Sequence, residues 1–289
     1  MSAPRKEAPA TGDPMKNGIH FISGLPRSGS TLLSAILRQN PRFHAMMTSP
    51  VGAIYMAMLG AVSRKNEAAV FIDEAQKREL LTGVFSSYYQ DIGKAKVVFD
   101  TNRMWCSKMP HIAEHFPKAK VIACVRHIPW IMDSIERLER KNIYDLSGIF
   151  GYEAGGTVYT RVNRLATSDG MVGYALDALR EAFHGGWADR LILVTYESLT
   201  RDPAGTMKIL YDFIGEKPFV HDFDNVQYSA EDFDAALGTP GLHTVRKKVE
   251  FVERRSILPP ELFARFENDA FWMNPDLNSH QVPVIRFQG

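Results

Sequence analysis

The eight residues Gly24-Leu-Pro-Arg-Ser-Gly-Ser-Thr31 separate a nearly continuous apolar run, Gly18-Ile-His-Phe-Ile-Ser23, from a helical one, Leu32-Leu-Ser-Ala-Ile-Leu37. The first run has the length and the β-branched and aromatic content of a buried strand, so the loop turns a strand directly into a helix. In such a loop, backbone N–H groups and the positive end of the helix dipole converge on one oxyanion. Arg27 adds a forked, permanently charged donor. The frame is the Gly-x-x-x-x-Gly of a nucleotide-binding loop, yet Ser30 stands where that motif has a lysine before Ser/Thr. Phosphoryl-transferring enzymes use that lysine with magnesium to neutralise the moving group. A loop without it suits a less charged group, held by hydrogen bonds and one cation.

Three further apolar runs, Lys96–Asp100, Lys120–Arg126 and Arg190–Tyr196, repeat the strand pattern. Amphipathic stretches lie between them: 67–90, Pro129–Lys141, 161–183 and Pro203–Ile214 read as helices, the second and fourth opening on proline. This alternation predicts an α/β fold in three layers, a central parallel sheet with helices on both faces. After about Val220 the pattern weakens, apart from a short helical stretch near 260–267, and this region is expected to act as a lid. Residues 1–17, rich in Ala, Pro and charge, are expected to form a disordered tail ahead of one domain over 18–289.

The 34 basic and 33 acidic residues give a net charge of +1, so no global field draws nucleic acid or a membrane surface, and any anion site is local. No apolar run approaches the roughly 20 residues that span a bilayer. The two cysteines, Cys106 and Cys124, fall in core-like segments and suit a reducing, cytoplasmic setting; neither they nor any other cluster suggests a metal.

A second anion site is expected at Arg126, which ends a strand where open α/β sheets bind ligands, with Ser134 about one and a half turns into the following helix. Together the two sites would hold a nucleotide at both its 5′ and 3′ ends.

Pro26-Arg27-Ser28-Gly29-Ser30-Thr31 resembles the 5′-phosphosulfate loop of the sulfotransferases that use 3′-phosphoadenosine-5′-phosphosulfate, usually Pro-(Lys/Arg)-Ser-Gly-(Thr/Ser)-Thr. Arg126 and Ser134 resemble that family's 3′-phosphate pair. Tyr196-Glu-Ser-Leu199 is similar to its Tyr-Glu-(Asp/Ser)-Leu element, which implies a place for Tyr196 near the adenine. The basic stretch Gly241-Leu-His-Thr-Val-Arg246-Lys247-Lys248 resembles its late loop over the 3′-phosphate, though it departs from the common Arg-Lys-Gly form. The resemblance implies that Arg27 stabilises the leaving oxygen, that no metal is needed, and that the acceptor is a hydroxyl or amine.

The base is not given by the resemblance. Many members place a His two residues after a Lys at the end of the second strand, and the tyrosylprotein branch uses a Glu after the first helix. This chain has Asp100-Thr-Asn-Arg103 and Met46-Met-Thr-Ser-Pro50 in those places. Asp100 is the first candidate base, with His44 and His243 in reserve. Apolar and aromatic segments at 51–58 and 144–159 are expected to line a pocket for a small acceptor, and a homo-oligomer remains open. A small-molecule kinase and a nucleotide-binding module without catalysis are the alternatives.

Overall fold

A computed structural model describes Met15 and residues 18–92, 96–152 and 156–287. The expected disordered tail lies outside these residues, apart from Met15. Six parallel strands form one sheet: β1 (Ile19–Gly24), β2 (Phe43–Ala45), β3 (Val97–Thr101), β4 (Val121–Val125), β5 (Leu191–Thr195) and β6 (Val284–Ile285), in the order β2-β3-β1-β4-β5-β6. The expected α/β class is thus the observed one. The two edge strands, with three and two residues, are too short for an apolar periodicity to reveal.

Strand side chains alternate between two cores, because successive residues of a strand point to opposite faces. Phe21, Val98, Val121, Ala123, Leu191 and Leu193 enter one core. Ile22, Phe99, Ile122, Cys124, Ile192 and Val194 enter the other. The first core is covered by α2 (Val51–Val62), α3 (Glu74–Tyr88), α4 (Met109–His115), α5 (Ile128–Lys141), α6 (Val158–Ala166) and α7 (Met171–His184). The second is covered by α1 (Ser30–Leu37) and by α8 (Tyr196–Arg201) with α9 (Pro203–Ile214). Short helices α10 (Glu231–Ala236) and α11 (Pro260–Ala264) belong to the late region.

Two long helical expectations are each broken. The 67–90 stretch is a single 3-10 turn, Glu67–Phe71, and then α3, which starts afresh at a capping box between Asp73 and Gln76. The 161–183 stretch divides into α6 and α7 at 167–170, where a Cβ on Gly170 would lie 2.2 Å from the carbonyl oxygen of Arg164.

The connections place the site. From β1 the chain passes through α1 to the β2–β3 side, then crosses to β4 on the other side of β1. The β1–β4 seam is therefore a topological switch point, and the crevice beyond the carboxyl ends of these strands is where such sheets bind ligands.

Candidate active site

A cleft of about 530 Å³ opens at that seam, a size suited to a nucleotide. The loop after β1 forms its floor. Gly24 has φ +98° and packs so closely on β4 that a Cβ would meet the carbonyl oxygen of Cys124 at 2.2 Å. Gly29, φ +97°, begins α1 without a side-chain cap and lies against Tyr196 and Leu199. Uncapped amides at the start of α1 thus border the cleft, along with Ser30 and Thr31. Arg27 has φ +57°, a conformation that side-chain-bearing residues seldom adopt and that marks a functional turn. Ser28 is fully buried, its hydroxyl donates to the Pro26 carbonyl at 3.2 Å, and it is not among the residues that line the cleft.

Arg126 follows β4 and Ser134 follows one and a half turns into α5; both line the cleft. The Arg126 guanidinium carbon stands 4.1 Å from the Tyr196 ring centroid, which fixes its plane by a cation–π contact. Arg126 is 9% exposed, and its Nε has no hydrogen-bond partner among the described residues. Arg27 Nε donates to Ser134 Oγ at 3.1 Å, and its Nη1 donates to the Leu242 carbonyl. The two expected anion sites are therefore adjacent.

A third guanidinium, Arg254, joins them from the late region. Its anchor is Asp133 of α5, fully buried, which accepts from the Ile257 amide at 2.7 Å and from Arg137 Nε at 2.9 Å and lies 2.9 Å from Arg254 Nη2. That nitrogen is close enough for an ion pair but is not aimed at the carboxylate, and it has no hydrogen-bond partner among the described residues. Burial draws the Arg27 guanidinium down to about 10, with Arg126 and Arg254 adding to the effect. Burial likewise lowers Arg126. All three keep their protons at neutral pH, so the cleft concentrates positive charge that a bound anion would neutralise.

Arg246 lines the cleft, but Lys247 does not. The Lys247 carbonyl instead accepts from the Val226 amide at 2.7 Å, and Lys248 takes the cleft position. Arg103, exposed to the cleft beyond β3, completes the basic lining. Arg254 was missed because it sits in an aperiodic stretch where no motif fixes which side chain turns inward.

Two of the three candidate bases lie elsewhere. Asp100 is fully buried on the α3 face of the sheet, accepting from Ser49 Oγ and Tyr89 OH at 2.6 Å each and from Trp105 Nε1 at 2.7 Å. Strand β3 continues one residue beyond it to Thr101, so the alternation turns Thr101 to the cleft and Asp100 away. Burial raises the Asp100 carboxyl although three hydrogen bonds oppose the shift. His44, on edge strand β2, packs on the Tyr89 ring at 5.8 Å, also outside the cleft lining. Only His243 lies in the cleft. The apolar stretch 51–58 forms part of α2, whose Ile54 and Met58 face a separate groove; from 144–159, Gly148 and Ile149 reach the cleft.

No helix among the described residues is long and apolar enough to cross a membrane. No curated protein matches the chain. The sulfotransferase domain from the Synechococcus PCC 7002 olefin synthase is 20% identical over 86% of this chain and 87% of its own, with a TM-score of 0.39. The sulfotransferase domain from the curacin biosynthetic pathway is 16% identical over 86% and 90%, with a TM-score of 0.47. A sulfotransferase from Alicyclobacillus acidocaldarius is 14% identical over 75% and 88%, with a TM-score of 0.45. The sequence model of the sulfotransferase family matches residues 20–220, from β1 through α9 and both expected anion elements. By that match, the chain belongs to the sulfotransferase family.

Proposed function

We propose that the protein transfers a sulfuryl group from 3′-phosphoadenosine-5′-phosphosulfate to a hydroxyl or amine of a small acceptor. The observation that carries this reading is the convergence of Arg27, Arg126 and Arg254 on one cleft, with the Arg126 Nε buried and unpartnered among the described residues. A buried donor without a partner costs free energy, and an anion repays it. In this reading the amides of the 24–31 loop and Arg27 hold the phosphosulfate, and Arg27 opposes the charge that develops on the departing oxygen. Arg126, Ser134 and Arg254 hold the 3′-phosphate, and Tyr196 borders the adenine. The loop's Ser30, in place of a lysine, disfavours a kinase.

The test is calorimetric. A charge-assisted hydrogen bond contributes about 1.5–3 kcal/mol, so Arg126→Ala should weaken adenosine 3′,5′-bisphosphate by roughly one to two orders of magnitude. Adenosine 5′-monophosphate, which lacks the 3′ anion, should bind wild type and variant alike. Equal losses for both nucleotides would remove the 3′-phosphate assignment.

A further inference from the structure

We propose that His243 is the base that takes the acceptor's proton and that Asp234 is the positioning residue that holds it; this rests on the sulfuryl-transfer reading above. Both residues lie beyond the span of the family match. Three observations carry the inference.

The first is how His243 is held. Both oxygens of the buried Asp234 carboxylate engage the same residue: Oδ1 is 2.5 Å from Nδ1, and Oδ2 accepts the His243 amide at 2.8 Å. A ring fixed through Nδ1–H to a carboxylate presents Nε2 as its basic nitrogen. The second is the anchoring of the turn that brings the pair together. Helix α10 ends at Ala236 with Leu237 as its cap, and the 238–241 turn returns the chain so that Thr239 N donates to the Asp234 carbonyl. This turn is fastened to the loop after α5: the Ser147 and Thr239 hydroxyls are 2.6 Å apart, and Gly148 N donates to the Leu237 carbonyl at 2.8 Å. The third is placement. His243 lines the cleft and follows Leu242, whose carbonyl accepts from Arg27. His243 therefore shares the cleft with Arg27 and is the chain neighbour of the residue that Arg27 bonds.

The charged groups around the ring agree with the role. Asp234 of α10 raises its basicity, while burial, Arg27 and Arg103 lower it below the ordinary histidine range, burial most. The Phe233 ring packs edge-on at 5.5 Å. A ring held below the ordinary histidine range favours its neutral form, which can accept a proton. In the step, the acceptor oxygen or nitrogen forms a bond to sulfur while its proton passes to His243 Nε2. The bond from sulfur to the bridging oxygen breaks, its electron pair staying on that oxygen, which departs with adenosine 3′,5′-bisphosphate. Asp234 balances the imidazolium until the proton passes to water.

The experiment uses the full chain, sulfur-labelled donor, and water, phenol and 4-nitrophenol as acceptor probes. His243→Gln should lower sulfuryl release by about a hundredfold, and less with 4-nitrophenol, which is already largely ionised at pH 8. Its affinity for adenosine 3′,5′-bisphosphate should stay within twofold of wild type. Asp234→Asn should move the acid limb of the pH profile to lower pH, and Asp234→Glu should partly restore it. Nitrogen NMR of the nucleotide complex should show Nδ1 protonated and Nε2 bare at pH 7. Equal rates in wild type and His243→Gln, or a protonated Nε2, would overturn the base assignment alone. Failure of wild type to bind the bisphosphate would overturn the sulfuryl-transfer reading itself.

Discussion

A single residue shows how strand parity decides chemistry. Asp100 has the composition of a base and the position of a scaffold, since its two oxygens already accept three hydrogen bonds. Asp100→Asn presents an NH2 where only acceptors are wanted, and setting one donor against Tyr89, Ser49 or Trp105 costs about 1–3 kcal/mol. Chemical denaturation should report that loss, while affinity for adenosine 3′,5′-bisphosphate and turnover per folded molecule stay near wild type; collapse of turnover in a fully folded variant would return Asp100 to the chemistry. What was legible at this scale was local. The places of Arg27, Arg126 and Ser134 on the cleft were legible because a strand end and a helix start fix them within a few residues of sequence. Placing Asp100 turned on whether β3 ends at residue 100 or 101, and apolar patterning does not resolve one residue. The Asp234–His243 pair was invisible for another reason, since the eight residues between them form a turn fastened to a distant loop.

Among the elements, β1 supplies the site and also a pH-sensitive part of the fold. His20, 7% exposed, accepts the Lys120 amide on Nδ1 at 3.1 Å and must remain neutral to do so. Burial, with Lys120 adding to it, pulls its pKa down to about 4 from 6.5. A histidine lowered by folding contributes stability that is complete above pH 6.5 and is lost as the pH falls towards 4, because only the unfolded chain then binds the proton. The gap corresponds to roughly 3 kcal/mol at most. His221, likewise drawn down to about 4 by burial, acts in the same direction. The denaturation midpoint should therefore fall between pH 6.5 and 4, and His20→Gln should flatten part of that slope; an unchanged slope would place the acid sensitivity elsewhere. The four long strands and the helices α1, α5 and α9 were legible from periodicity, since each carries its own apolar pattern. The division of α6 from α7 was not, because Gly170 and Gly173 permit close backbone approach without interrupting the apolar spacing.

Across the whole molecule, the cleft is assembled from segments near residues 24–31, 101–103, 126–134, 196–200 and 242–254, which meet only in the folded chain. A nucleotide that binds there binds the native state alone and should stabilise it, by about 2.7 kcal/mol at a hundredfold excess over Kd. Thermal unfolding should show a clear rise in Tm with adenosine 3′,5′-bisphosphate and a much smaller one with ATP and magnesium; an equal or larger effect of ATP would favour the kinase alternative. The layered architecture was legible because buried parallel strands announce themselves, whereas the late region was not, because its positions are set by anchors such as Asp133 and Ser147 instead of by periodicity. The bond from Arg27 to the Leu242 carbonyl has a consequence for timing. Under the proposed roles, the segment that braces the cation on the phosphosulfate also carries the proton acceptor, so lifting it withdraws both at once. Anything that shifts the segment would then slow donor activation and proton removal together, a coupling that two separately mounted groups would lack.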